Sequence, residues 1–227
     1  LEFRRVLFRS TSLGSLLSSM SGSVSVILDK GFSDSSFSDL KSALKKSGTY
    51  LITLDINDRV TSIPDSAFYG CGQLRAVNIS SSITSIGKSA FSSCGLTSLT
   101  IPGSVVSISE RAFANCTILK NVTMDNGVKF ISREAFCECT SLNSVSIPNS
   151  MKTIGTSAFL SCSSLTDVTI PSGVTSIGES AFSGTGLTQV TIPGLIETIS
   201  KSAFSNCKSL GTVTIEPGVK KISQQAF

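Results

Sequence analysis

The chain carries few of the residue types that perform catalysis. Its 227 residues include seven cysteines but no histidine and no tryptophan. Catalytic triads and dyads that use imidazole as the base are therefore excluded, and so are metal sites built on histidine. The remaining candidates for chemistry are the cysteines, a serine–lysine pair and one short acidic segment.

Six of the cysteines share one column of the sequence, four residues after the alanine of a recurring Ala-Phe pair (Cys71, Cys94, Cys116, Cys139, Cys162 and Cys207). Such a column could form disulfides or a row of metal ligands, or it could be a row of small buried side chains. Burial is favoured, because identical side chains that point one way have no unique partner and Thr185 fills the same position. Cys137 adds a second thiol beside Cys139, but two thiolates alone make a poor zinc site. We predict free thiols and no bound metal.

Two further motifs carry weak signals. Ser42 and Lys45 have the S-x-x-K spacing with which a lysine can activate a serine nucleophile. That spacing arises easily by chance in a chain rich in serine and lysine, so a solvated helix face is favoured. Asp55, Asn57 and Asp58 resemble the start of a calcium-binding loop, but the glycine and the distal glutamate of such a loop are missing. We predict that the protein is not an enzyme and holds no cofactor.

Most of the chain consists of eight copies of one unit. An Ala-Phe pair recurs at intervals of 22 or 23 residues, with phenylalanine at positions 68, 91, 113, 136, 159, 182, 204 and 227. Apolar residues stand eleven, seven and four positions before each alanine, as Ile170, Val174 and Ile177 do before Ala181. One such unit cannot enclose a core, whereas stacked units share a continuous one. The sequence predicts a repeat solenoid of about eight rungs, a rung being one unit of 22–23 residues.

Each unit divides into a strand and a series of turns. Val168 and Ile170 alternate with polar residues, the pattern of a β-strand with one buried side. A proline such as Pro171 ends the strand in several units. The Ser-Ala-Phe segment that follows suits a short helical or 3₁₀ turn that buries the phenylalanine. Because equivalent strands stack, we expect a parallel β ladder joined by short helical or 3₁₀ turns.

The consensus L-x-x-V-x-I-P…I-G-x-S-A-F-x-x-C, clearest in residues 165–182, resembles the BspA-like leucine-rich repeats of the Treponema type. The resemblance covers residues from about 51 to 227 and implies a leucine-rich-repeat superhelix. It also implies a microbial cell-surface or secreted protein that adheres to host or microbial surfaces, and it supplies no catalytic residues. The departures are small: Thr185 replaces cysteine, Met124 replaces isoleucine, and Glu216 displaces the proline to Pro217.

Two other parts precede the repeats. Residues 1–10 match nothing downstream and do not begin with methionine, so we interpret them as a non-native extension. Residues 11–50 are predicted to be a linker followed by an N-terminal capping strand and helix. Residues 51–227 are the repeat array, which stops within a unit and is expected to be truncated at the C-terminus. No signal peptide is visible in this fragment, and no apolar run reaches the roughly 18 residues of a membrane span.

The functional prediction depends on the exposed side of the strands. Its outward columns are rich in hydroxyl and amide groups and contain the predicted partner-binding face (Arg75, Asn78, Lys120, Asn121, Thr123, Asn143, Asp167, Thr169 and Gln189). This chemistry suits a protein or glycoprotein ligand. The net charge of +4 does not indicate nucleic-acid binding. Residues 1–10 hold three arginines and one glutamate and supply +2 of it, which leaves only +2 for the rest of the chain.

We therefore predict a non-catalytic protein-binding module of a cell-surface or secreted, adhesin-like protein. The alternative is a structural spacer that displays another domain of a larger surface protein. Asn78, Asn115 and Asn121 begin Asn-x-Ser/Thr sequences, which accept glycans only if a eukaryote secretes the protein.

Overall fold

The computed structural model describes residues 4–8, 24–28, 34–46, 52–56, 58 and 60–227. These ranges contain one helix and short strands throughout. In chain order the elements are β1 (Arg4–Phe8), β2 (Val24–Leu28), α1 (Asp34–Lys46), β3 (Ile52–Ile56), β4 (Ser62–Ile63), β5 (Leu74–Ile79), β6 (Ser85–Ile86), β7 (Ser98–Ile101), β8 (Ser107–Ile108), β9 (Asn121–Met124), β10 (Phe130–Ile131), β11 (Ser144–Ser146), β12 (Thr153–Ile154), β13 (Ser176–Ile177), β14 (Gln189–Ile192), β15 (Thr198–Ile199), β16 (Thr212–Ile215) and β17 (Lys221–Ile222).

The longer strands of successive rungs stack in parallel, as the repeat predicts. β9 lies between β7 and β11, and equivalent residues of neighbouring units face each other: Val122 is opposite Leu99 on one side and Val145 on the other. Side chains along β9 alternate between exposed and buried, with Val122 and Met124 inside. These observations confirm the predicted solenoid with a parallel ladder.

A second ladder runs beside the first and consists of two-residue strands. It joins β4, β6, β8, β10, β12 and β13 in that order, and β15 pairs separately with β17. The second residue of each of these strands is an isoleucine, and Ile131 faces both Ile108 and Ile154. Because these three side chains are almost completely buried, the second ladder contributes a continuous aliphatic row to the core.

The Ala-Phe segments form tight turns rather than continued 3₁₀ helices. Three-residue hydrogen bonds of the predicted kind are present, for example from the Ala67 N–H to the Pro64 oxygen at 3.3 Å. However, the residue before each alanine adopts a positive φ, 54° at Ser66 and 55° at Arg111. This left-handed conformation interrupts helical hydrogen bonding, and the N–H two residues later points toward the following rung. Phe68 N–H thus donates to the Ala90 oxygen at 2.7 Å.

A column of stacked phenylalanines forms the centre of the core. The rings of Phe113, Phe136 and Phe159 lie 5.4 Å apart and nearly parallel. At the first rung, Phe37 of α1 packs edge-on against Phe68 with 5.7 Å between ring centroids, and Leu40 and Leu44 of the same helix are fully buried. The helix therefore covers the N-terminal end of the column.

The two ends of the array differ. On the N-terminal side, β1, β2, β3 and β5 form one parallel sheet, so two strands precede the first rung. β1 lies within residues 1–10, the segment interpreted as a non-native extension, and pairs with β2. At the other end, Phe227 is 45% exposed whereas Phe204 is 1% exposed.

The ladder of longer strands is interrupted at two places. One break separates β5 from β7, and the other spans Leu165–Ile170, which forms no strand. Both breaks lie next to a strand, β7 or β14, whose unit has 22 residues instead of 23. The structure shows that the Phe stack stays in register while strand pairing beside the shortened connection is lost.

Candidate binding face

The predicted face residues lie along the exposed side of the longer strands, because in-register stacking brings their columns together. Asn121 and Thr123 belong to β9, Gln189 belongs to β14, and Asp167 and Thr169 lie in the strandless segment. Arg75 and Asn78 lie on β5, and Lys120 and Asn143 directly precede β9 and β11. All are exposed except Arg75, which is half-buried.

Two of these residues are engaged inside the array. The Asn78 side-chain amide donates a hydrogen bond to an Asp55 carboxylate oxygen in the previous rung. The Arg75 guanidinium donates to the Gly95 oxygen at 3.5 Å, and Arg75 is the extra residue where the β3–β5 register shifts. These two side chains therefore stabilise contacts between rungs.

The other seven side chains are available to a ligand. Within the part of the chain that the structure describes, no hydrogen bond or ion pair is found for the side chains of Lys120, Asn121, Thr123, Asn143, Asp167, Thr169 and Gln189. They combine amide, hydroxyl and two opposite charges on one exposed surface. Such groups can donate and accept hydrogen bonds without first breaking internal ones.

Two open grooves cross this face, one on each side of the Asp167–Thr169 segment. Asn143 and Asp167 line the first groove, and Asp167, Thr169 and Gln189 line the second. The sequence does not predict these grooves, because Leu165, Val168 and Ile170 preserve the strand pattern. The nearest signal in the sequence is the shortened spacing between Phe182 and Phe204.

The cysteine column packs in the core, where five of its six thiols are buried and Cys207 is partly buried. The Cys139 thiol donates to the Phe113 oxygen of the preceding rung at 3.2 Å, and the thiols of Cys94, Cys116, Cys162 and Cys207 repeat this contact. All seven cysteines are free. Burial raises the pKa of Cys71 to about 11 and that of Cys116 to about 12, so these thiols resist conversion to the reactive thiolate.

Cys137 and the acidic segment also lack the arrangement of a metal centre. Burial raises the pKa of the Cys137 thiol to about 11. Asp55 accepts a hydrogen bond from Asn78, and Asp58 accepts one from the Ser80 hydroxyl. Asn57 lies outside the described residues. Among the residues that are described, no three cysteine or carboxylate groups come together as metal ligands.

The serine–lysine pair lies on α1, but the lysine is turned toward the first rung. Lys45 Nζ lies 5.6 Å from the centre of the Tyr69 ring, and Lys41 Nζ lies 5.9 Å from it. Cation–π contact of this kind stabilises the docking of the helix. Ser42 is exposed to solvent.

Within the described ranges, the single helix is too short and too polar to cross a membrane.

Comparison with known proteins relates the chain to solved repeat structures. The leucine-rich repeat protein TpLRR of T. pallidum is 26% identical with a TM-score of 0.60, and the match covers 77% of this chain and 74% of that one. A leucine rich cell surface protein from Faecalibacterium prausnitzii A2-165 is 25% identical with a TM-score of 0.53, over 74% of this chain and 60% of that one. A leucine-rich repeat protein from Bacteroides ovatus is 23% identical with a TM-score of 0.55, over 89% and 63%.

The chain matches 60% of the length of the Faecalibacterium structure and 63% of the length of the Bacteroides structure. A search of the curated proteins finds no significant match. The sequence profile of the family described as BspA type Leucine rich repeat region matches residues 41–143 and 129–227, in six copies. Repeat arrays of this kind present extended surfaces for protein interaction. The match confirms the resemblance read from the consensus, and the chain belongs to the BspA-type leucine-rich repeat family.

Proposed function

We propose that the chain is a non-catalytic module of a cell-surface or secreted, adhesin-like protein and that it holds a partner protein on its strand-lined face. The observation that carries the proposal is the group of seven neighbouring exposed polar side chains without internal partners, which includes Asn121, Asn143 and Asp167. Such a surface gains hydrogen bonds on binding and loses none within the protein.

The chemistry of the face favours a protein or glycoprotein over a nucleic acid. Lys120 and Asp167 are the two charged residues among the seven, and their charges cancel. Nucleic-acid binding requires several lysines or arginines near the phosphates. A surface of amides and hydroxyls instead matches the mixed donors and acceptors of a protein surface or its glycans.

The proposed location draws on a relative. The Faecalibacterium structure, 25% identical over 74% of this chain, is described as a cell surface protein. A row of rungs with an exposed flat side is well suited to binding other surfaces, because each rung adds another set of contacts.

The test is a pull-down with purified protein from host serum, extracellular matrix and co-resident microbial surfaces. Changing Asn121 and Asn143 together to glutamate adds two charges at the centre of the face without altering a buried residue. The matched control exchanges Glu179 and Lys201, whose side chains are paired at 3.5 Å in the turn segments, by Glu179→Lys plus Lys201→Glu.

The strand-face variant should lose the captured partner, and the control should keep it. Loss of the partner by the control, with normal capture by the strand-face variant, would place the ligand on another surface. If no partner is captured from any source by the unaltered protein, the proposal of an adhesin-like module fails.

A further inference from the structure

We infer that the second groove, which Asp167, Thr169 and Gln189 line, binds a cationic side chain of the protein partner, arginine or lysine. The Asp167 carboxylate is its counter-ion. The inference rests on the proposed function, since it specifies the kind of partner residue that the strand-lined face holds. Three observations support it: the opening of the ladder, the mixed polar and apolar lining of the groove, and the negative charge of the groove.

In the rung that contains Asp167, strand pairing is lost on the side of the longer strands, and the other sides of the rung keep their contacts. Residues 166–170 donate no main-chain hydrogen bond to another described residue, and the Thr188 N–H to the Thr166 oxygen, at 3.1 Å, is the link to the next strand. On the other sides of the rung, Thr153 still pairs with Ser176, and the Phe159 and Phe182 rings remain stacked at 5.3 Å. The groove is therefore held in place by an intact core.

The lining of the groove fits a long side chain with a charged end. Val168, Val190 and Pro193, which are largely buried, line the groove together with the exposed Asp167 and Gln189. Lysine and arginine bury their methylene stems against apolar surface and keep the charged group near polar partners. A guanidinium can also engage a carboxylate through two parallel hydrogen bonds.

The charge of the groove is unbalanced within the part of the chain that the structure describes. Asp167 and Glu216 line it, and no lysine or arginine does. Glu216 accepts a hydrogen bond from the Gly194 N–H at 3.1 Å, whereas the Asp167 side chain has no partner. Some exposed acids elsewhere are paired with the next rung, as Glu197 is with Lys220 at 2.6 Å, whereas Asp125 and Glu138 have no side-chain partner among the described residues. Asp167 differs from Asp125 and Glu138 because it lines this groove, where it can meet an external cation.

The probe is a short peptide, acetyl-Ser-Thr-Arg-Thr-Ser-amide, compared with the same peptide in which neutral citrulline replaces arginine. Binding to the ¹⁵N-labelled full chain is followed through its amide resonances. The arginine peptide should shift resonances of residues 167–169 and 189–191, and the citrulline peptide should not. Asp167→Asn should weaken the arginine peptide roughly fivefold, as loss of one solvent-accessible ion pair does.

Two protein variants sharpen the result. Asp125→Asn removes an exposed acid in a different rung and should leave binding unchanged. Gln189→Glu adds a carboxylate to the groove and should strengthen binding. The inference is overturned if the citrulline peptide binds equally well, if the arginine peptide shifts other regions or none, or if Asp125→Asn and Asp167→Asn behave alike. One outcome would overturn this inference and leave the proposed function standing: the Asn121→Glu plus Asn143→Glu variant loses the captured partner, but the arginine peptide does not bind the unaltered protein.

Discussion

The thiol of Cys139 donates a hydrogen bond to the main-chain oxygen of Phe113, 3.2 Å away in the preceding rung. No other hydrogen bond to that oxygen is found within the described residues. The Phe136 oxygen differs, because it accepts both the Cys162 thiol at 3.2 Å and the Cys139 N–H at 3.3 Å. Cys139 therefore completes the hydrogen bonding of a buried turn as well as filling space.

Cys139→Ala should consequently destabilise the protein more than Cys162→Ala. The first change leaves a buried carbonyl without a partner, at a cost of about 1–3 kcal/mol beyond the lost packing. The second leaves that carbonyl with one hydrogen bond. Both side chains are fully buried, so the pair is matched for packing. Urea unfolding measures the difference, and equal free energies of unfolding would contradict a hydrogen-bonding role for the thiol.

Phe136→Ala should lower the free energy of unfolding by about 3–5 kcal/mol, as truncation of a buried phenylalanine does. Its ring is fully buried and stacks on a neighbour at 5.4 Å on each side. Phe227 is 45% exposed and stacks on one side at 5.6 Å, so Phe227→Ala should cost much less. Equal losses in a denaturant titration would be incompatible with a linear stack.

Gly103→Ala should also destabilise the array. A Cβ at this position would lie 1.8 Å from the Asn126 oxygen of the next rung, so the two turns would have to move apart. We expect a loss of about 1–3 kcal/mol. Gly72→Ala is the control, since a Cβ there meets nothing within 4 Å. Thermal unfolding that shifts equally for both variants would argue against such close stacking of the turns.

Stability should fall at alkaline pH because of the buried thiols. Burial raises the pKa of Cys116 and Cys162 from the ordinary 9.0 to about 12. Between these values the folded chain binds more protons than the unfolded chain, so the free energy of unfolding decreases as pH rises. The full contribution is present below about pH 9 and disappears as pH passes through the folded pKa values.

The matched variant for this effect is Cys116→Ser, which has no group that titrates in that range. Its free energy of unfolding should fall less steeply with pH, by up to about 1.4 kcal/mol per pH unit between pH 9 and 10.5. Urea titrations with reductant present provide the slopes, and the contributions of lysine and tyrosine cancel between the two proteins. Parallel slopes would show that the Cys116 thiol is not buried in the folded state.

Much of this fold is predictable from the sequence because each rung buries apolar residues at the same positions of its unit. The eight phenylalanines fix the period, and the alternation around Val168 and Ile170 identifies a strand and its buried side. The left-handed conformation of residues such as Arg111 is not predictable in this way. Serine, arginine, glutamate and glutamine all adopt it, so the requirement comes from hydrogen bonding to the next rung rather than from the residue type.

The site is less predictable than the fold. The outward direction of Asn121 and Asn143 follows from strand alternation, and the structure places both on one exposed surface. The opening at Leu165–Ile170 does not follow, because its own pattern is intact and the shortened connection lies in the next unit. That this face binds a partner remains a prediction.

The most direct test of the binding face is the dissociation constant of the captured partner, measured with immobilised protein. Asn121→Glu plus Asn143→Glu places two charges among side chains that have no internal partners. It should raise the dissociation constant at least about tenfold, which corresponds to 1.4 kcal/mol of lost binding free energy. Glu179→Lys plus Lys201→Glu should leave it within about twofold, since an exposed pair away from the strands is reversed but retained. An unchanged dissociation constant for the strand-face variant would contradict binding on this face.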